Sequence, residues 1–114
     1  MATLTQIVDV VLRSGDTFDK TLIWEHTGVA VDLTDWTGTA LVKALPTDAD
    51  EDAIAEFEVI ETDAEAGEFT INLDPNDSAD LPVGDSVAVY EVQFVHTDGR
   101  KRTPVAGSVS VEPA

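Results

Sequence analysis

The sequence contains no cysteine. That removes disulfides, thiolate metal sites and a cysteine nucleophile, and excludes a disulfide-stapled secreted scaffold. Basic residues are scarce: six Lys and Arg stand against 23 Asp and Glu, for a formal net charge of -17. Affinity for phosphate backbones and anionic lipid rests on Lys and Arg, so neither nucleic acid nor membrane is an expected partner. Long apolar runs are missing too. The opening residues, MATLTQIVDVVLRSGD, break their apolar stretch with acidic and polar side chains, unlike a signal peptide, and nothing approaches the length of a membrane span. A soluble, intact chain is expected. Its 114 residues fit one domain, 1–114, large enough to bury roughly two thirds of its unfolded surface. The acidic surplus implies self-repulsion at low ionic strength, relieved when salt shortens the Debye length to roughly 3 Å near 1 M. A saline setting is one reading of this surplus, and a merely soluble acidic domain is the other.

Helical periodicity is hard to find, whereas short alternating or β-branched runs recur between turn residues. The pattern is all-β, with strands expected over 4–12, 17–24, 38–45, 54–61, 68–73, 86–96 and 101–111. Alternation places Phe18, Leu22 and Trp24 on one face, and likewise Ala40 and Val42, Phe57 and Val59, Phe69, Ile71 and Leu73, Tyr90, Val92 and Phe94, and Val109 and Val111. These form the expected core. Glu56, Glu58, Glu68, Thr70, Glu91 and Gln93 fall on the opposite faces. Two such antiparallel sheets packed face to face make a β-sandwich of about seven strands. Asp98-Gly99 between alternating runs signals a tight hairpin with a primed turn. Asp74-Pro75-Asn76-Asp77 reads as a capped helix start, Pro75 at its first position, and predicts a short helix over 75–81. The segment 46–53, PTDADEDA, has no apolar anchor and is expected to be an acidic loop.

Little in the chain suggests chemistry. His26 beside a turn and His96 at a strand end are the two histidines, with no G-x-S-x-G elbow to accompany them. Carboxylate pairs are so abundant that glycosidase-like spacing carries no specificity. Neither a catalytic set nor a cofactor is expected. Calcium is the more serious possibility, because hard cations want oxygen ligands. Asp48, Asp50, Glu51 and Asp52 crowd one loop, and Asp74, Asn76, Asp77 and Asp80 crowd another. The alternatives are a solvated charge run and a capped helix. Trp24, Trp36 and Tyr90 could form a sugar platform, but Trp24 and Tyr90 fall on inner faces.

The order GDTF (15–18), VDLT (31–34), EAGEFTINL (65–73), PVGD (82–85) and YEVQFVHTDGR (90–100) resembles the N-terminal Ig-like domain of phage baseplate upper proteins and related small tail proteins, over nearly the whole chain from Gly15. The resemblance implies an Ig-like sandwich that acts as a non-enzymatic virion subunit in the tail or baseplate, with capsid decoration close behind. It implies scaffold residues and no catalytic ones. The chain stops at Ala114, without the further region of the baseplate proteins, so a small stand-alone subunit is expected. Its partners would be other virion proteins and copies of itself. A calcium- or carbohydrate-binding adhesion module is the alternative. Two stretches are candidate contacts: the apolar N-terminal residues Ile7, Val8, Val10, Val11 and Leu12, and the basic run Arg100, Lys101 and Arg102. The basic run could meet acidic partner surfaces, or could be an idle solvated tip.

Overall fold

A computed structural model describes residues 6–26, 28–45 and 47–114. The chain runs β1 (Gln6–Ile7), β2 (Val10–Arg13), β3 (Phe18–Ile23), a small hairpin of β4 (Glu25–His26) and β5 (Val29–Ala30), β6 (Trp36–Lys43), β7 (Ala55–Asp63), β8 (Glu68–Leu73), α1 (Pro75–Ala79), β9 (Gly84–His96) and β10 (Lys101–Glu112). Single 3-10 turns at Asp50–Asp52 and Ala64–Ala66 flank β7. The fold is all-β with one short helix, as alternation predicts. The start of the strand expected over 4–12 and Pro46 of the acidic loop lie outside the described residues.

Apart from β4 and β5, which pair only with each other, the strands join in one sheet, in the order β1-β10-β9-β6-β7-β8-β3, with β2 also on β10. Two expectations are corrected here. The sheet is mixed, because β1 and β2 run parallel to β10 while the remaining pairs of the sheet are antiparallel. It is also continuous, because β7 changes partner along its length. Ala55, Glu56 and Phe57 pair with β6, and the strand from Glu58 onward pairs with β8. Neighbouring strands sit about 4.8 Å apart, so in a flat sheet β8 and β9 would be separated by roughly 14 Å. Instead the rings of Phe69 on β8 and Phe94 on β9 meet edge to face with centroids 5.1 Å apart. The sheet therefore turns back on itself at β7, and its two halves enclose the core.

The core follows the alternation. Ala40, Val42, Phe57, Phe69, Ile71, Leu73, Tyr90, Val92, Phe94, Val109 and Val111 are all buried, while Phe18, Leu22 and Val59 pack partly buried against them. Trp24 stacks on Phe94 at 5.3 Å. Its Nε1 has no hydrogen-bond partner among the described residues. That omission costs about 1 to 3 kcal/mol, which burial of the indole offsets. Val10, Leu12, Leu33, Leu81, Ala88 and Val105 complete the core. Gly67 sits at φ +71, and a Cβ there would lie 2.7 Å from the Trp24 carbonyl oxygen, so only glycine lets this turn close against Trp24.

Two local expectations change in detail. The helix is capped by Asp74, whose carboxylate accepts from the Asp77 N–H at 3.0 Å, but it ends at Ala79 because the chain must deliver Leu81 to the core. The β9–β10 hairpin has no two-residue primed turn. His96 N–H donates to the Arg100 carbonyl at 2.8 Å, leaving three residues in the loop, and Gly99 alone takes positive φ. This is the three-residue hairpin loop that closes on a left-handed glycine.

Candidate protein-interaction surfaces

The basic run is largely occupied by its own hairpin. The Arg100 side chain donates from Nε to Asp98 Oδ2 at 2.8 Å, and its backbone N–H reaches Asp98 Oδ1 at 3.0 Å. The guanidinium lies 5.4 Å from the Trp36 ring centre. The Arg100 N–H, with its side chain next, holds the Asp98 carboxyl below the usual carboxylate value. His96 Nδ1 stands 3.1 Å from the same carboxylate. Arg102 bends back to the Lys101 carbonyl at 2.8 Å. Three clustered cations therefore reduce to an exposed Lys101 and Arg102 beside an internally neutralised Arg100.

The N-terminal candidates divide by parity. Val10 is 3% exposed and belongs to the domain's own core, as does Leu12, so neither faces a partner. Val8 is half-buried. Its carbonyl accepts from Tyr90 Oη at 2.5 Å, and burial, aided by the Asp9 charge, pushes the Tyr90 phenol up to about 12. Ile7 and Val11, 69% and 59% exposed, stand opposite Ala106 and Ser110 of β10 on the outer face of the sheet. Across that face the register aligns Ile7, Ala106, Glu91 and Leu41 in one row and Ser108, Val89 and Lys43 in the next. Together they line a shallow trough of about 330 Å³.

One wall of this trough is a residue that the pattern of the sequence did not single out. Lys43 has only 6% of its side chain exposed, and its Nζ donates to Asp50 Oδ1 at 2.7 Å, with Glu91 at 3.9 Å. The hydrogen bond from Lys43 lowers the Asp50 carboxyl and, reciprocally, raises the Lys43 ammonium. A lysine at an outward position next to acidic loop residues is the signal, but only folding shows which carboxylate it takes. The pair engages a calcium candidate. Asp48 is engaged as well, accepting from the Leu45 N–H at 3.1 Å. Asp74 caps α1, while Asp52, Asn76 and Asp77 are exposed. Among the described residues no group of three or more His, Asp or Glu stands close enough to hold a metal ion.

A third surface arises where β7 changes partner. β6 pairs with β9 over its whole length but with β7 only at Ala40, Leu41 and Val42. A notch of about 580 Å³ opens beside the unpaired stretch, lined by Gly38, Phe57 and Val59 and by the carboxylates of Glu56, Glu58 and Asp77. Sequence alternation shows that Glu56 and Glu58 point outward, but not that the sheet parts beside them.

The tryptophans do not form an open platform. Trp24 is buried and meets Trp36 edge to face at 5.1 Å, and Trp36 in turn carries His96 at 4.9 Å and Arg100. The side chain of His26 lies outside the described residues. No helix among the described residues is long and apolar enough to cross a membrane. No family model matches the chain, and no curated protein matches it in sequence.

Proposed function

We propose that this protein is a non-enzymatic structural subunit of a tailed phage or similar virus particle, in the tail or baseplate region, held among its neighbours through the outer face of β1, β10, β9 and β6. The observation that carries this reading is the apolar content of that face. Ile7, 69% exposed, lines the trough with Leu41 and Val89, and Val11, 59% exposed, stands further along the same face, in a chain whose net charge is -17. Exposed apolar clusters on an otherwise charged surface mark contact sites.

The resemblance to the Ig-like domain of baseplate upper proteins supports the assignment, and so does the connectivity. In an immunoglobulin-type sandwich the strands B, E and D neighbour one another in one layer and C, F and G in the other. Here β3-β8-β7 and β6-β9-β10 follow those two orders, taken in chain sequence. The burial of Trp24 beneath Trp36 favours this reading over a sugar-binding module.

Mass spectrometry of purified particles produced by the genome that encodes the chain tests the reading. The protein is expected in the tail fraction, at a fixed ratio to the tail proteins. Replacing Ile7 and Val11 with Asp should reduce that ratio at least tenfold while the isolated domain keeps its circular dichroism spectrum. Recovery on capsids free of tails would move the subunit to the capsid surface, and absence from all particles would overturn the proposal.

A further inference from the structure

We infer that the outer edge of β3 accepts an extended segment of a partner protein as an added strand, and that Lys20 selects a segment with a carboxylate facing it. β3 ends the sheet and pairs with β8 on one side only. Trp24, the residue after β3, donates its N–H to the carbonyl of Gly67, the residue before β8, at 2.9 Å. Backbone groups in an antiparallel ladder alternate in direction from one residue to the next. Phe18, Lys20 and Leu22 therefore turn theirs toward β8, and Asp19, Thr21 and Ile23 turn theirs outward. Among the described residues no other segment takes up these outward N–H and C=O groups. The side chain of Ile23 is 47% exposed beside them. An open strand edge of this kind is a template for strand addition.

Lys20 decides what can be added. It lies between Phe18 and Leu22 on the inward-facing row, opposite the fully buried Ile71, and is itself half-buried. Lys43 and Arg100 already hold carboxylates, and Arg13, Lys101 and Arg102 are exposed. Lys20 is thus the one half-buried Lys or Arg with no carboxylate at ion-pair distance among the described residues, in a chain with 23 acidic ones. An inward-pointing charge on an edge strand blocks indiscriminate pairing, because apolar and like-charged residues placed opposite it are disfavoured. A carboxylate directly opposite Lys20 removes that block, and apolar residues on either side of the carboxylate would cover Phe18 and Leu22. A second copy of this chain does not fit. Its own row at this edge, Phe18, Lys20 and Leu22, contains no carboxylate, and it would bring a further net charge of -17. The inference does not rest on the particle assignment, since β3 takes no part in the face used there.

The probe is the blocked heptapeptide Lys-Val-Thr-Glu-Thr-Val-Lys, which sets Val, Glu and Val on one face in either chain direction. It is titrated into the isotopically labelled protein at about 100 mM NaCl. Amide shifts are expected at Asp19, Thr21 and Ile23. The decisive comparison is the same peptide with Lys in place of its Glu. General attraction to an acidic protein favours this more positive peptide, whereas repulsion by Lys20 should make it bind about fivefold more weakly. Lys20→Glu, with circular dichroism confirming the fold, should reverse the order of the two peptides. Methylating the backbone nitrogens of Thr-Glu-Thr should weaken binding at least tenfold, since the ladder cannot then be completed. Equal or tighter binding of the peptide lacking Glu, an order unchanged in Lys20→Glu, equal binding of the methylated peptide, shifts centred elsewhere, or no binding at millimolar peptide would each overturn the inference.

Discussion

Lys43 shows at the residue scale how a long charged side chain is accommodated against a sheet. Its stem lies against the sheet and its ammonium is neutralised by Asp50, so a loop with no apolar anchor is pinned by one ion pair. The pH dependence follows from the directions of the two shifts. The folded value of Asp50 lies below the ordinary carboxylate value, so its contribution is complete above the unfolded pKa of about 3.9 and is lost as pH falls through the folded one. Asp50→Asn is therefore expected to lower the urea midpoint at pH 7, and the gap to the parent protein should close as pH falls below the ordinary carboxylate value. A gap that persisted at low pH would show that packing of the loop, and not charge, holds it. Lys43 titrates at the opposite end. Its contribution is present at neutral pH and is lost as pH rises through its elevated folded value. Asp50 could not be singled out from sequence alone, because six residues and a turn separate it from Lys43 and the lysine has Asp48, Glu51 and Asp52 almost as near in the chain.

Elements show the same division between local pattern and spatial accident. The span of β8, Glu68–Leu73, coincides with the run of alternation, and β9 and β10 extend theirs by a residue or two. The first strand departs from its pattern. It is interrupted at Val8 and Asp9, where its backbone crosses Gly107 of β10 so closely that a Cβ on Gly107 would collide with the Val8 carbonyl. The Asp9 carboxylate fills the gap in the ladder, accepting from the Ser108 N–H at 2.9 Å. Gly107→Ala should consequently displace residues 6–9 and leave β2 paired with Val109–Glu112. The expected cost is about 1 to 3 kcal/mol. Hydrogen exchange of the Val8 amide, which donates to the Ala106 carbonyl at 2.8 Å, should accelerate more than a hundredfold while amides in the Phe69–Leu73 strand stay protected. Uniform acceleration would mean that β1 is integral to the fold and not an attached edge. The β7 crossover belongs here too. The alternation of Phe57 and Val59 identifies a strand, but a strand reads the same whether it keeps one neighbour or exchanges it midway.

For the whole molecule the governing quantity is charge. Twenty-three acidic residues on a domain with extents of 39 × 27 × 23 Å repel one another over distances that low salt does not screen. The ion pairs offer little compensation. Asp98 with Arg100 is half-exposed, and exposed pairs are worth under about 1 kcal/mol. The melting temperature should therefore rise by about 5 to 10 °C between 10 mM and 1 M NaCl, as differential scanning calorimetry would record. A flat or falling curve would remove the argument for a saline setting. Composition and period-two alternation were sufficient for the all-β class and for the inner and outer faces of β3 and of β6 to β10, and the Asp74-Pro75 signature was sufficient for the capped helix start. Each of those depends on the residue and its immediate neighbours. The parallel docking of β1 and β2, the parting of β6 from β7, the burial of Val10 and Leu12, and the pairing of Lys43 with Asp50 arose only when distant segments met. Hydrogen-bond partners, side-chain burial and electrostatic neighbours are properties of the space between strands, and the pattern along a single strand does not carry them.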